Sequence, residues 1–170
     1  MAEHRYHVDA LSAAPPEVVF DVVADGPGWA GWAPGVSCAS YEREGDPPPH
    51  GVGAIRRFGG ARGPVSREEV VIYERPTHLA YRALSGPLPW TGYRADVHLT
   101  PGPGGKGTTI VWTGSFRSRV PGLRALIRRM VAGFARGLVA ESERRHRAAT
   151  EAGPDPDPPA SGTTPEGAAA

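Results

Sequence analysis

The chain has 170 residues, nineteen of them basic and eighteen acidic, for a net charge near +1. That balance supplies no global field to recruit nucleic acid or a membrane surface. Cys38 is the only cysteine, which excludes an intrachain disulfide and a cysteine-built zinc cage.

No apolar run reaches membrane-spanning length, and the opening MAEHRYHVDA lacks the regions of a signal peptide. The expectation is a soluble, cytoplasmic protein with one domain and one core over residues 1–149. Residues 4–12 read as a strand, with Tyr6, Val8 and Ala10 alternating against His7, Asp9 and Leu11. Pro15 and Pro16 open a short helix over 17–25, with Glu17 in its first turn as the helix dipole favours. Gly26-Pro27-Gly28 stops it, and Trp29 and Trp32 fall in one or two further helical turns closed by Pro34-Gly35. Strands follow over 36–44, 52–58, 65–74, 79–84, 91–100 and 108–116, separated by glycine- and proline-rich turns that favour antiparallel pairing.

The last element predicted is a helix from Pro121 to about His146. Leu123, Leu126, Ile127, Met130, Val131, Phe134 and Leu138 recur at three- and four-residue steps and make one apolar stripe. Arginines fall largely between them and read as a solvated face rather than a membrane-binding one. Such a helix is roughly 40 Å long, and the broad object available for it to lie across is a β-sheet. Residues 150–170 are expected to be a disordered tail, being mostly proline, glycine, alanine and acid from Gly153 onward. The order is strand, two short helices, six strands, long helix: an α+β arrangement in which one antiparallel sheet curls round one helix.

This order, together with Ala14-Pro15-Pro16-Glu17-Val18-Val19-Phe20, Trp29, Trp32 and Pro34, Gly51-Val52-Gly53, Glu68-Glu69-Val70, Arg75-Pro76, Leu79-Ala80-Tyr81-Arg82 and the run GKGTTIVW ending at Trp112, resembles the START-like helix-grip (SRPBCC) superfamily, most closely its polyketide cyclase/dehydrase branch. The likeness covers about residues 5–147. It implies a seven-stranded antiparallel sheet gripping the C-terminal helix, with a deep, mostly apolar cavity between them. Relatives bind or transfer lipids, sterols, polyketides, hormones or quinones, and a minority catalyse cyclisation or dehydration. By the same resemblance, residues 59–63 and 87–90, the latter ending at Trp90, would be the gate and latch loops of the cavity.

Strand alternation places Tyr93, Ala95, Val97 and Leu99 on one face, and Thr108, Ile110, Trp112, Gly114 and Phe116 on another inward face. Leu79, Tyr81 and Ala83 share a face, and Phe58 facing in carries Arg56 with it. In the third of these later strands the pattern is double. Val70 and Ile72 facing in would bring Ser66 and Glu68, whereas Val71 and Tyr73 would bring Glu69; the resemblance favours Glu68. The inward set is rich in aromatics with polar tips, which fits a ligand pocket better than a solid core. Gly114, Gly133 and Gly137 remove side-chain volume where sheet and helix face each other, which leaves room for that pocket; alternatively Gly133 and Gly137 permit close contact of the helix. The expected ligand-binding set is therefore Trp32, Arg56, Phe58, Ser66, Val70, Trp90, Ala95, Trp112, Phe116, Leu126, Met130 and Phe134.

Glu68 carries the sharpest chemistry. A carboxyl in an apolar pocket has its pKa raised unless a cation holds it ionised. With Tyr81 or Tyr93 as hydroxyl donors it could polarise a ligand carbonyl or move a proton, and Glu68, Tyr81 and Tyr93 form the candidate catalytic set. Alternatively Glu68 pairs with Arg56 and only orients a ligand. The six histidines show no metal spacing, with His98 read as solvated, and the serines lack a nucleophile elbow. Cys38 reads as a small apolar filler, and the glycine-rich 102–106 as a hairpin turn rather than a phosphate loop. Nothing in the sequence calls for a cofactor or metal. The expected partner is a small hydrophobic or aromatic molecule; a cyclase or dehydratase, or a regulatory interaction module, are the alternatives. Oligomeric state is not legible.

Overall fold

Alternating burial along long strands is what lets one sheet serve as both wall and surface here. The computed structural model describes residues 1–60 and 65–152. The elements are β1 (Ala2–Ser12), α1 (Pro16–Ala24), α2 (Trp29–Trp32), β2 (Cys38–Arg43), β3 (Ile55–Gly59), β4 (Ser66–Glu74), β5 (His78–Ser85), β6 (Thr91–Pro101), β7 (Thr108–Ser118) and α3 (Leu123–Ala152). The strands form one seven-stranded antiparallel sheet in the order β1-β7-β6-β5-β4-β3-β2. The α+β helix-grip architecture expected from the sequence is the one observed. From residue 153 on, the expected tail lies outside the described residues, as do residues 61–63 of the first expected rim loop.

Each element follows from its residues. Pro16 takes the first helical position of α1, where no backbone donor is needed, and Glu17 sits in the first turn. Val19, Phe20, Val22, Val23 and Ala24 bury the helix on its inner side. Arg75 reaches from the β4–β5 turn to clasp the Asp21 carboxylate with both Nε and Nη2, at 2.7 and 2.8 Å. β6 and β7 are joined by a turn through Pro103–Gly105, where Gly104 and Gly105 hold φ of 67° and 73°, angles that residues with a Cβ rarely adopt. The phosphate-loop mimic is indeed a hairpin.

The double pattern in β4 has a structural reason. Val70 pairs with Tyr81 but Ile72 pairs with Ala80, so the register shifts between them. The bulge reverses the facing of the strand, and both candidate sets prove half right. Glu68 and Val70 face the helix before the bulge. After it, Tyr73 turns inward to meet Phe20 edge-on at 5.1 Å. Glu69 points outward, held by Arg43 and Arg82.

α3 departs from its predicted form at the start. Pro121 and Gly122 make a turn, and the helix begins at Leu123. Its buried line is Leu123, Ile127, Val131, Ala135, Leu138 and Ser142. Met130 and Phe134 lie half-buried beside it, but Leu126 is 55% exposed. One residue is 100° of helix, so Leu126 sits a face away from the buried line that runs through Leu123 and Ile127 on either side of it. Cys38 is exposed at the start of the edge strand β2 and is no filler.

The two helix glycines differ. A Cβ on Gly137 would stand 2.4 Å from the backbone oxygen of Trp32, whereas one on Gly133 would meet its nearest atom, Pro34 Cγ, at 3.8 Å. Gly137 exists for close approach of α2; Gly133 does not. Alanine gains up to about 1 kcal/mol over glycine in a helix, while overpacking costs about 1–3 kcal/mol. Gly133→Ala should therefore raise the melting temperature by about 2–4 °C, and Gly137→Ala should lower it, as read by thermal denaturation followed by circular dichroism.

Candidate functional site

The cavity is built where α3, the sheet and the α2–β2 loop fail to close on one another. It measures about 240 Å³ and is walled by Trp29, Phe58, Trp90, Met130 and Phe134, with Ser66, Glu68, Tyr81 and Tyr93 supplying polar atoms. Pro34, Val36, Gly60 and Leu88 complete the rim. Both loops singled out in the sequence thus meet the mouth, through Gly59 and Gly60 on one side and Pro87, Leu88 and Trp90 on the other.

Beneath the wall lies a charge pair. Arg56 is wholly buried on β3, opposite Glu68 on β4. Its Nη2 donates to Glu68 Oε2 at 3.2 Å and its Nη1 to the Val23 carbonyl at 3.4 Å, while Nε has no partner among the described residues. The guanidinium stands 4.6 Å from the Tyr81 ring centre and 5.3 Å from those of Trp29 and Phe58, within cation–π range of all three. Burial pushes the Glu68 carboxyl above its ordinary value, and Arg56 offsets that only in part. The reading of Glu68 as an Arg56 partner and the reading of it as a raised acid therefore describe one arrangement.

The phenols are tied down by different neighbours. Trp112 Nε1 donates to the Tyr81 hydroxyl at 3.2 Å, which leaves the Tyr81 proton without a protein acceptor among the described residues. Tyr93 and Tyr6 share a hydrogen bond of 2.6 Å. Burial raises all three phenols well above their usual range, so they stay protonated and act as donors or acceptors, not as bases. Tyr6 reaches Tyr93 because Gly114 leaves room: a Cβ there would fall 2.4 Å from the Tyr6 ring. Gly114 thus hosts a side chain rather than enlarging the cavity.

Glu68, Tyr81 and Tyr93 line one cavity, together with Phe58, Ser66, Trp90, Met130 and Phe134 from the expected binding set. Val70, Ala95, Trp112 and Phe116 do not line it; they are core residues behind the wall. Arg56 is likewise behind, touching the cavity through Glu68 and the aromatic rings. Trp32 packs on Trp29 at 4.6 Å and against Gly137, and is a support for the wall. Leu126 is exposed and does not line the cavity. Sequence reasoning left Trp29, which lines the cavity, out of the binding set, and missed the segment Pro34 to Val36. A tryptophan in a one-turn helix carries no periodicity that shows its facing, so no local signal was available for it.

Among the described residues no helix is long and apolar enough to cross a membrane. Comparison with curated proteins finds no match. Among solved structures, the Zhui aromatase/cyclase from a Streptomyces species is similar over 87% of this chain and 98% of its own, with 22% identity and a TM-score of 0.69. A protein from Nitrosospira multiformis is similar over 85% of this chain and 99% of its own, with 20% identity and a TM-score of 0.69. A START superfamily protein from Mycobacterium smegmatis covers 86% of this chain and 98% of its own, at 13% identity and a TM-score of 0.62. At these identities the likeness is one of fold. The family model described as polyketide cyclase / dehydrase and lipid transport matches residues 3–146, and with that span of the chain accounted for, this protein belongs to that family.

Proposed function

We propose that the protein binds a small aromatic or otherwise apolar molecule bearing carbonyl or hydroxyl oxygens, in the cavity between α3 and the sheet. The observation that carries this reading is the composition of the wall: aromatic and apolar surface, with the Glu68 carboxyl and the unclaimed Tyr81 proton as its fixed polar points. Ligand sites typically measure about 300–1,000 Å³, so a cavity of about 240 Å³ favours one or two rings, or one end of a longer molecule whose remainder leaves by the mouth.

A second reading, supported by the raised Glu68 carboxyl and by the likeness to an aromatase/cyclase, is catalysis on such a ligand. Tyr81 would donate to a ligand carbonyl, Glu68 would take up or return a proton beside it, and Arg56 would steady the carboxylate when it forms. Binding and catalysis separate at Glu68. With a polyketone thioester mimic as probe, a catalyst loses turnover in Glu68→Gln while keeping affinity within about threefold, whereas a carrier shows no turnover in either form.

Trp29 and Trp90 face the cavity, so occupancy should change tryptophan fluorescence. Titration with an apolar fluorescent probe such as N-phenyl-1-naphthylamine should give saturable binding that competing aromatic ketones reverse. Met130→Trp, which fills the space from the half-buried helix face, should weaken it at least about tenfold with little change in melting temperature. Unaltered probe affinity in Met130→Trp would remove the cavity reading.

Glu68 also makes a stability prediction with a definite sign. Its folded pKa lies above its unfolded value, so the folded state holds the extra proton between the two. The stabilising contribution of that proton is present at low pH and is lost as pH rises through the folded value. Urea unfolding from about pH 4 to pH 8 should show wild type losing stability relative to Glu68→Gln as pH rises. The opposite slope would mean that Arg56 dominates burial.

A further inference from the structure

The six histidines show no metal spacing along the chain, yet the fold brings two of them together with a carboxylate on the face of the sheet opposite the cavity. His78 on β5 and His98 on β6 are paired in register across the strands, and Asp96 precedes His98 by two residues on the same face. A ligand atom from each of His78, Asp96 and His98 can be chosen so that all lie within 4.8 Å of one another. The two imidazole rings stack with centres 3.9 Å apart. His78 Nε2 lies 3.0 Å from Asp96 Oδ1, and its Nδ1 lies 3.8 Å from Glu74 Oε2.

We propose that His78, Asp96 and His98 form a binding site for a divalent transition metal of the zinc class, with water completing the coordination. The donor set is the one such ions favour, imidazole nitrogen with one carboxylate. The spacing fits as well. Bonds of about 2.0–2.1 Å in a tetrahedron place ligand atoms roughly 3.3 Å apart, so from within 4.8 Å the cluster has only to tighten on the ion. His98 is exposed and free to turn. Two strand positions of the same face plus the residue across the ladder form a tripod fixed by backbone hydrogen bonds. Glu74, beyond the far nitrogen of His78, is placed where a ligating histidine commonly finds the carboxylate that orients it. Arg94 is the competitor: its Nη2 and Nε hold Asp96 at 2.8 and 2.9 Å. A carboxylate has lone pairs beyond the two that Arg94 engages, so Asp96 can serve both. The opposite strand β7 presents Val111 to His98 and Thr113 to Asp96, neither of them a charged rival.

The site is independent of the cavity reading, because it uses the other face of β5 and β6. The test is calorimetric titration of the full chain, cleared by chelator, with Zn(II), followed by Co(II) visible absorption as a second probe. The expected result is one equivalent bound, with affinity lowered at least about tenfold in His98→Ala and in Asp96→Asn. His146→Ala, on α3 and outside the cluster, should leave affinity within twofold. His98 is exposed, so its alanine variant should fold, and circular dichroism checks that it does. Absence of stoichiometric binding, or binding that survives in His98→Ala, overturns the proposal and leaves an Arg94–Asp96–His78 ion network.

Discussion

The burial of one guanidinium organises the inner half of this molecule. Arg56 has no solvent exposure, and taking a charge out of water costs several kcal/mol even after relaxation. Each element around it supplies part of the compensation. β4 brings Glu68, α1 ends so that the Val23 carbonyl is free, and α2, β3 and β5 bring the rings of Trp29, Phe58 and Tyr81. Val23 also accepts from Trp29 Nε1 at 3.0 Å, so the last turn of α1 pins both the cation and the tryptophan that walls the cavity. A carbonyl at a helix C-terminus is an orphan acceptor at the negative end of the dipole. Two donors converging on it are a local reason for α1 to stop where it does. The pair is poor evidence for stability, since apolar replacements of a buried ion pair are often neutral or better. Its consequence is chemical: it fixes a carboxyl at the edge of an apolar hollow.

The same logic extends along the sheet. Tyr81 cannot rotate away because Trp112 donates to its oxygen, and Tyr93 is held by Tyr6. Those partners come from β7 and β1, strands that contribute no residue to the cavity lining. The polar points of the cavity are therefore oriented from behind by a layer of core residues that no ligand need touch. Trp112, Phe116, Val70 and Ala95 belong to that layer.

That layering explains what the sequence could and could not reveal. Period-two alternation identified which residues of β6 and β7 turn inward, because both strands are regular over their inner stretch. It could not separate residues that touch the hollow from those one layer deeper, because both are apolar, buried and in phase. In β4 alternation gave two answers, and a bulge makes each correct over half the strand. A bulge leaves no mark in a run such as Glu68-Glu69-Val70-Val71-Ile72-Tyr73. Leu126 was misplaced because adjacent apolar residues such as Leu126 and Ile127 blur which line of the stripe is the buried one, and the structure buries Leu123 and Ile127 and leaves Leu126 out. The meeting of His78 with His98 required the β5–β6 register, which neither segment carries alone.

One consequence of strand geometry ties the two faces together. Along β6, Tyr93, Ala95 and Val97 alternate with Arg94, Asp96 and His98, so Ala95 and Val97 are flanked on both sides, and Tyr93 on one, by charged or titratable residues facing out. Along β5, Tyr81 stands between Ala80 and Arg82, and pairs with Ala95 across the ladder. The β5–β6 ladder that orients Tyr81 is thus the same one that carries the His78–His98 pair and the Asp96–Arg94 clasp. The register that sets His78 against His98 is the one that aligns Tyr81 with Ala95, so the Tyr81 ring is placed by that pairing as well as by Trp112.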